Sequence, residues 1–484
     1  VAFVASAATT MVLFVGSRGL GAGPWLGGAT ALALGLVLCL WLARRLPEDL
    51  DGLATSRRWI CAAWLLISIL ALAQTARVSA FMLDPAARQH SLFPGDPWYL
   101  AHSCLTAYTE SARLAGRGEA NIYAPEHYFD RKLGPFNVDA YHYPPPFLLL
   151  PLALEALGSD DYPHLRMRWF ALSALTLLLA MGAVAAALEP ASRRRAIAAI
   201  PAVWISMPVQ VGFQLSNVQL LLVAVSALSW VAFRRWRPLG GALLALATVA
   251  KIFPGVLGLD LLLARRWKDA LSTAAFGLIF CGAIYAVVGP APFREFIDYE
   301  IPRLSTGEAF ARPFSRDFAV AQNMSAFGIP LKLQKLGVPG MTFATGRLFS
   351  LLYGLTIVGL ALWASRRTGV RSAALEGSHA TREISVWLAL ISLGALASPF
   401  APAGYVLASV VWLAALDREN FSPVFAAFVW LATSAPFLLP REGDFLVRAL
   451  TYLPAQLFAL GVPVYVLWRA GRRGAPVTGV PAGG

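Results

Sequence analysis

Residues 171–188 read ALSALTLLLAMGAVAAAL, 18 positions without one ionisable side chain. At 1.5 Å per residue such a helix is about 27 Å long, close to the roughly 30 Å of hydrocarbon in a bilayer. The run ends at Glu189-Pro190-Ala191-Ser192-Arg193-Arg194-Arg195, a proline and three arginines at its edge. In lipid each backbone donor and acceptor must be satisfied within the segment or a closed barrel. A barrel strand would alternate apolar and polar positions, and this run does not. It therefore reads as a transmembrane helix. Comparable runs recur at 29–42 and 220–232. Working outward, membrane segments are expected near 2–16, 22–43, 59–81, 166–188, 196–212, 217–233, 269–289, 341–365, 384–399, 402–415, 421–439 and 451–468. With shorter apolar pieces at 145–157, 239–250 and 252–264, this gives about 11 to 14 crossings. The fold class is all-α, a polytopic transmembrane helical bundle.

Composition agrees. The 484 residues are 57% hydrophobic and only 14% charged. A soluble domain needs about a quarter of its residues charged. The net charge is +13, which in a soluble chain would suggest nucleic acid. Here the excess sits beside apolar runs, at Arg44-Arg45, Arg57-Arg58, Arg193-Arg194-Arg195, Arg234-Arg235, Arg265-Arg266, Arg366-Arg367 and Arg472-Arg473. Such clusters mark cytoplasmic helix ends, and no nucleic-acid partner is expected. With 57–58 and 265–268 inside, the segments 59–81 and 269–289 both lead out. The loops 82–143 and 290–340 then share the extracytoplasmic side. Both mix aromatic and ionisable residues, so both are expected to be structured. Residues 1–50 read as extra N-terminal membrane segments, 51–473 as one membrane domain and 474–484 as a disordered tail. The opening Val1-Ala2-Phe3 is already apolar, and reads either as a first span or as a truncated start.

Two stretches do not fit simple crossings. Residues 145–157 would span only about 20 Å and read as a short embedded or interfacial helix. Residues 238–264 lie between two basic clusters and are short for two spans. They read as a helical hairpin broken around Lys251, Pro254 and Gly255.

Several residues invite a chemical role. Lys251 lies away from both basic clusters, where an uncompensated lysine costs roughly 2.5–3.5 kcal/mol on insertion scales. It either contacts a bound anion or snorkels to the interface. Gln214-Leu215-Ser216-Asn217 is a polar island between apolar runs, either an interhelical turn or a set of ligand donors. Tyr143 starts a Tyr-Pro-Pro-Pro-Phe segment where the first loop returns to the membrane. Asp84, Asp96 and Asp139 are the acids of that loop that could accept a proton from a reacting hydroxyl. The four cysteines have no paired or ligand spacing, and the six histidines form no tight group. No metal, cofactor or phosphate-binding loop is expected.

Together the motifs resemble glycosyltransferase family 87, within the C-type superfamily of polyprenyl-phosphate-sugar-dependent membrane enzymes. The resemblance is carried by Asp96-Pro97-Trp98-Tyr99, by Gly118-Glu119-Ala120-Asn121-Ile122-Tyr123, and by Tyr143-Pro144-Pro145-Pro146-Phe147. Gln214-Leu215-Ser216-Asn217 with Lys251-Ile252-Phe253-Pro254, and Asn323-Met324-Ser325-Ala326-Phe327-Gly328, complete it. The ordered set covers roughly residues 59–440. The chain departs from the pattern at Phe213, at Pro97, and after Ser398-Pro399, where the usual Trp and His are missing.

The resemblance implies the C-type architecture and inverting transfer of a sugar, mannose or a pentose, from a polyprenyl-phosphate donor. The acceptor would be an envelope glycan or glycolipid hydroxyl on the extracytoplasmic face of a bacterial inner membrane. It implies Asp96 as general base, with Asp84 next in line. Lys251, Arg303 and Arg312 would bind the donor phosphate, while Tyr143, Gln214, Asn217 and Asn323 would line the cavity. Besides the donor and acceptor, membrane lipids are the expected partners. A secondary transporter or flippase, or a non-catalytic scaffold of envelope-glycan assembly, are the competing classes. The broken hairpin and intramembrane lysine suit a transporter, but no internal repeat is present and the large loops are one-sided.

Overall fold

The computed structural model describes residues 1–45, 58–158, 161–368, 379–439, 441 and 443–472. The tail expected to be disordered lies outside these residues, as do 46–57. The described chain is a helical bundle with one two-residue hairpin ladder, Lys132–Leu133 against Phe136–Asn137.

Among the described residues, seven helices are long and apolar enough to cross a membrane: Ala2–Gly19, Pro24–Leu42, Trp59–Leu83, Tyr162–Ala187, Trp267–Val288, Phe343–Ser365 and Phe445–Arg472. An eighth crossing is made if Pro190–Ile205 and Met207–Gln214, bent by 55° at Ser206, form one broken span. By length and composition, then, seven or up to eight of the described helices qualify as crossings, fewer than the 11 to 14 expected. The physical reason is length. Val218–Phe233, Ala403–Leu416 and Pro423–Ser434 have 16, 14 and 12 residues, about 24 Å or less at 1.5 Å each. The apolarity of the first two serves the bundle interior, whereas Pro423–Ser434 leaves Val424, Phe428 and Leu431 exposed. In Val218–Phe233 nearly every side chain is buried, Trp230 and Leu222 among them. Trp267–Val288 does the opposite and leaves Leu271, Leu278, Ile279 and Val287 exposed. An apolar face of that extent fits hydrocarbon, not water. The protein is a multi-pass membrane protein.

Tyr162–Ala187 lies against both Ala2–Gly19 and Val218–Phe233, and Arg168 Nε donates to the Gly19 carbonyl at 2.6 Å. Residues 145–156 form one short 3-10 and α-helical unit. The stretch 237–263 is a broken pair: Arg237–Ala250 stops at Lys251 and Gly255–Leu263 resumes after Pro254.

The loop segments carry elements of their own. The first holds Pro97–Ala101 and Leu105–Gly116. The second holds Ala291–Glu295, a π-turn at Phe296–Glu300, then Ile301–Thr306, Ala311–Phe314, Asp317–Gln322 and Gly328–Lys335. They touch each other: His142 Nδ1 lies 2.7 Å from Glu300, and Arg312 lies 3.1 Å from Asp130. Both segments therefore pack at one end of the bundle.

Candidate active site

Between these segments and the broken helices lies a cavity of about 710 Å³. Its wall comes from 98–108 and 129–144, from 304–322, from the break at Lys251–Val256, and from the junction 394–405. That size suits a small-molecule or sugar-headgroup ligand.

Lys251 follows the last helical residue, in extended backbone with φ −156° and ψ 127°. Its ammonium donates to Gln219 Oε1 at 3.0 Å and lies 5.4 Å from the Tyr143 ring centroid. Tyr143 and Tyr108 share a hydrogen bond of 3.1 Å, and their rings meet edge to face. A cation among phenolic rings on a cavity wall can attract an anion. Asn217 has two tasks. Its Oδ1 accepts from Gln219 N at 2.9 Å and starts the Val218–Phe233 helix, while its Nδ2 donates to Cys104 Sγ at 3.3 Å. Tyr143, Asn217, Lys251 and Arg312 all line the cavity.

Asp139, one of the acids expected from the sequence, also lines the cavity, whereas the other expected residues are not on its wall. Gln214 is buried and binds the first loop, accepting from Leu92 N at 2.7 Å and donating to Ser91 Oγ at 3.0 Å. Asn323 ties the second loop to the 399–401 junction. Its Nδ2 donates to Pro399 O and its Oδ1 accepts from Ala401 N, each at 2.9 Å. Arg303 is engaged with the fully buried Glu300 at 3.1 Å and with Glu308 at 3.5 Å. Asp84 is exposed and closes a turn through Ala86 N. Asp96 starts the Pro97–Ala101 helix, its Oδ1 accepting from Trp98 N at 2.8 Å and Tyr99 N at 3.4 Å. Arg441, which lies over Trp98, approaches the same oxygen at 3.8 Å. Trp98, Tyr99 and Arg441 line the cavity, so Asp96 stands directly behind its wall. Among the described residues, Oδ2 of Asp96 carries no hydrogen bond.

One polar group was not legible in the sequence. His102, stacked on Trp98 with ring centroids 4.0 Å apart, places Nδ1 3.3 Å from Asp139 and Nε2 3.0 Å from the Tyr405 hydroxyl. Cys104 Sγ donates to the same hydroxyl at 3.3 Å. Burial pulls the His102 pKa down, but the charge of Asp139 and its hydrogen bond outweigh that and raise it from 6.5 to about 10. Because the folded value is raised, the pair's contribution is complete below about pH 6.5 and is lost as pH rises through about 10. Ligand atoms of His102, Cys104 and Asp139 lie within 4.8 Å of one another, the spacing of a potential metal group. Each of these side chains already has a hydrogen-bond partner within the cluster. Chain separations of 2 and 35 residues match no ligand motif, and Tyr405 comes from a helix some 300 residues away. No local pattern could have revealed the group.

A multi-pass bundle with two packed loops over a cavity holding a lysine, phenols and carboxylates is the build of a membrane-embedded transferase. The chain belongs to glycosyltransferase family 87, whose family model matches residues 141–399. No curated protein matches it. The matched stretch includes Tyr143, Gln214, Asn217, Lys251 and Asn323, while Asp96, His102 and Asp139 precede it. The protein is thus a membrane-embedded glycosyltransferase.

Proposed function

We propose that this glycosyltransferase moves a sugar, mannose or a pentose, from a polyprenyl-phosphate donor to a hydroxyl of an envelope glycan or glycolipid. Transfer proceeds with inversion, on the extracytoplasmic face of a bacterial inner membrane. The observation that carries the reading is the Lys251 ammonium on the wall of the cavity, at a helix break where a lipid-borne phosphate meets both hydrocarbon and the polar loops. The phosphate leaves with the electron pair of the C1–O bond, and a cation there offsets the charge that develops. Arg312 also lines the cavity and serves the same anion or the glycan.

Asp96 is the proton acceptor for the attacking hydroxyl. Its Oδ1 is fixed by two backbone N–H groups, which orients the carboxylate and leaves Oδ2 available. Asp139 is already engaged with His102 at 3.3 Å. In a transfer assay with a polyprenyl-phosphate sugar, Asp96→Asn is expected to lose about 100-fold or more in rate at unchanged expression, the scale of a positioned base. Near-normal turnover in that variant would remove Asp96 from the role. The same assay against a panel of donor sugars, with mass analysis of the product, identifies the sugar. Absence of transfer from every polyprenyl-phosphate donor would end the reading.

A further inference from the structure

Tyr405 stands near the start of the Ala403–Leu416 helix, and its side chain lines the cavity. Two groups reach its oxygen, His102 Nε2 at 3.0 Å and Cys104 Sγ at 3.3 Å. Each is held from behind. Asp139 accepts from His102 Nδ1 at 3.3 Å, Trp98 lies flat against the imidazole, and Asn217 donates to the Cys104 sulfur. With a carboxylate on one nitrogen, the imidazole is a cation that donates through both. The phenol oxygen then accepts an N–H and an S–H. Its own proton has no acceptor among the described residues, and it borders the cavity. A phenol that accepts from a cation is a stronger donor than a free one. Lys251 lines the same cavity.

We infer that Tyr405 is a catalytic hydrogen-bond donor to the departing phosphate, and that His102 and Asp139 are the positioning pair that polarises it. This rests on the glycosyl-transfer reading above. In the step, the bond from sugar C1 to the phosphate oxygen breaks and its electron pair stays on that oxygen. A bond forms from C1 to the acceptor oxygen, whose proton passes to Asp96. Tyr405 gives up no proton. Its hydrogen bond strengthens as the phosphate gains one unit of negative charge, so it stabilises the transition state more than the bound donor. Lys251 supplies a point charge and Tyr405 supplies direction.

The test uses the purified full-length chain in a lipid nanodisc, with a polyprenyl-phosphate sugar as donor. Tyr405→Phe removes one oxygen and keeps the ring. Its kcat is expected to fall about 100-fold, the usual loss for one oxyanion donor, with donor KM little changed. Inhibition by the product, polyprenyl phosphate, weakens at the same time, because the product carries the extra charge. His102→Gln and Asp139→Asn are each expected to lower kcat about tenfold and to weaken product inhibition, as loss of charge assistance roughly halves a hydrogen bond. In the Tyr405→Phe background His102→Gln adds almost nothing, because it acts through the phenol. Residues that merely hold the fold would lower the melting temperature and leave kcat and product inhibition of the folded enzyme at wild-type values. That result in Tyr405→Phe overturns the inference. If Tyr405→Phe does not fold, the same two measurements on His102→Gln decide it in the same way. A wild-type chain inactive with every polyprenyl-phosphate sugar overturns the glycosyl-transfer reading instead.

Discussion

Gln214 uses both ends of its amide on the first loop, binding Leu92 N, Ser91 Oγ and, at 3.4 Å, the carbonyl of Tyr99. Replacement by Leu leaves the half-buried Leu92 N–H without its acceptor, at a cost of about 1 kcal/mol, the low end for an unsatisfied donor. Gln214→Leu should therefore melt at a lower temperature in detergent, and intact melting would show the amide to be dispensable. Lys251→Met tests a different kind of residue. It should weaken donor use in the transfer assay, and unchanged donor KM and kcat would leave only a packing role for the lysine. These two residues show how far single positions can be read. A lysine in an apolar stretch stands out because its burial is costly wherever it points. A glutamine in a polar turn does not reveal whether its partners are a ligand or a backbone 122 residues away. His102, Cys104 and Tyr405 carry even less signal, since their chemistry exists only once the chain has brought them together.

Helix lengths explain what was legible among the elements. Apolar runs located the helices well, because a buried helix and a lipid-facing helix are both apolar. The same fact blurred the crossings, since Val218–Phe233 is apolar for contact with other helices. The break at Lys251–Pro254 was legible because Pro removes a donor and clashes with the preceding turn. The π-turn at Phe296–Glu300 has no such marker, yet it aims Phe296 at the cavity and sets Glu300, fully buried, between His142 and Arg303. Gly241 shows the packing that holds the broken hairpin. A Cβ there would lie 2.2 Å from Ser272 Oγ and 2.8 Å from the Ser272 carbonyl carbon. Alanine gains about 0.8–1.0 kcal/mol in helix propensity, but overpacking against backbone costs about 1–3 kcal/mol. The clash is expected to win, and Gly241→Ala should lower the melting temperature. A stabilised variant would mean that Arg237–Ala250 and Trp267–Val288 can move apart freely.

For the whole molecule, the decisive relation is between the segments 82–143 and 290–340. Two pairs join them, His142 with Glu300 and Arg312 with Asp130. Exposed pairs such as Arg312–Asp130 contribute little, but Glu300 is fully buried and its loss would strand His142 and Arg303 together. Packing at one end of the bundle means that both segments face one compartment, and the arginine clusters at 234–237 and 265–266 favour the proposal that this compartment is the outside. Cysteines introduced at exposed positions test the assignment. Ala120→Cys in the first segment and Ser305→Cys in the second should both react with a membrane-impermeant maleimide in intact cells. Lys268→Cys, beside a basic cluster, should react only after permeabilisation. Labelling of Ala120→Cys and Ser305→Cys from opposite sides would contradict the packing itself. Labelling of both only from the cytoplasm would keep the cavity but turn it towards a different pool of donors. A lipid-linked sugar presented outside the cell membrane can reach Lys251 and Tyr405 only if both segments are external, so the orientation decides which acceptors the cavity can meet.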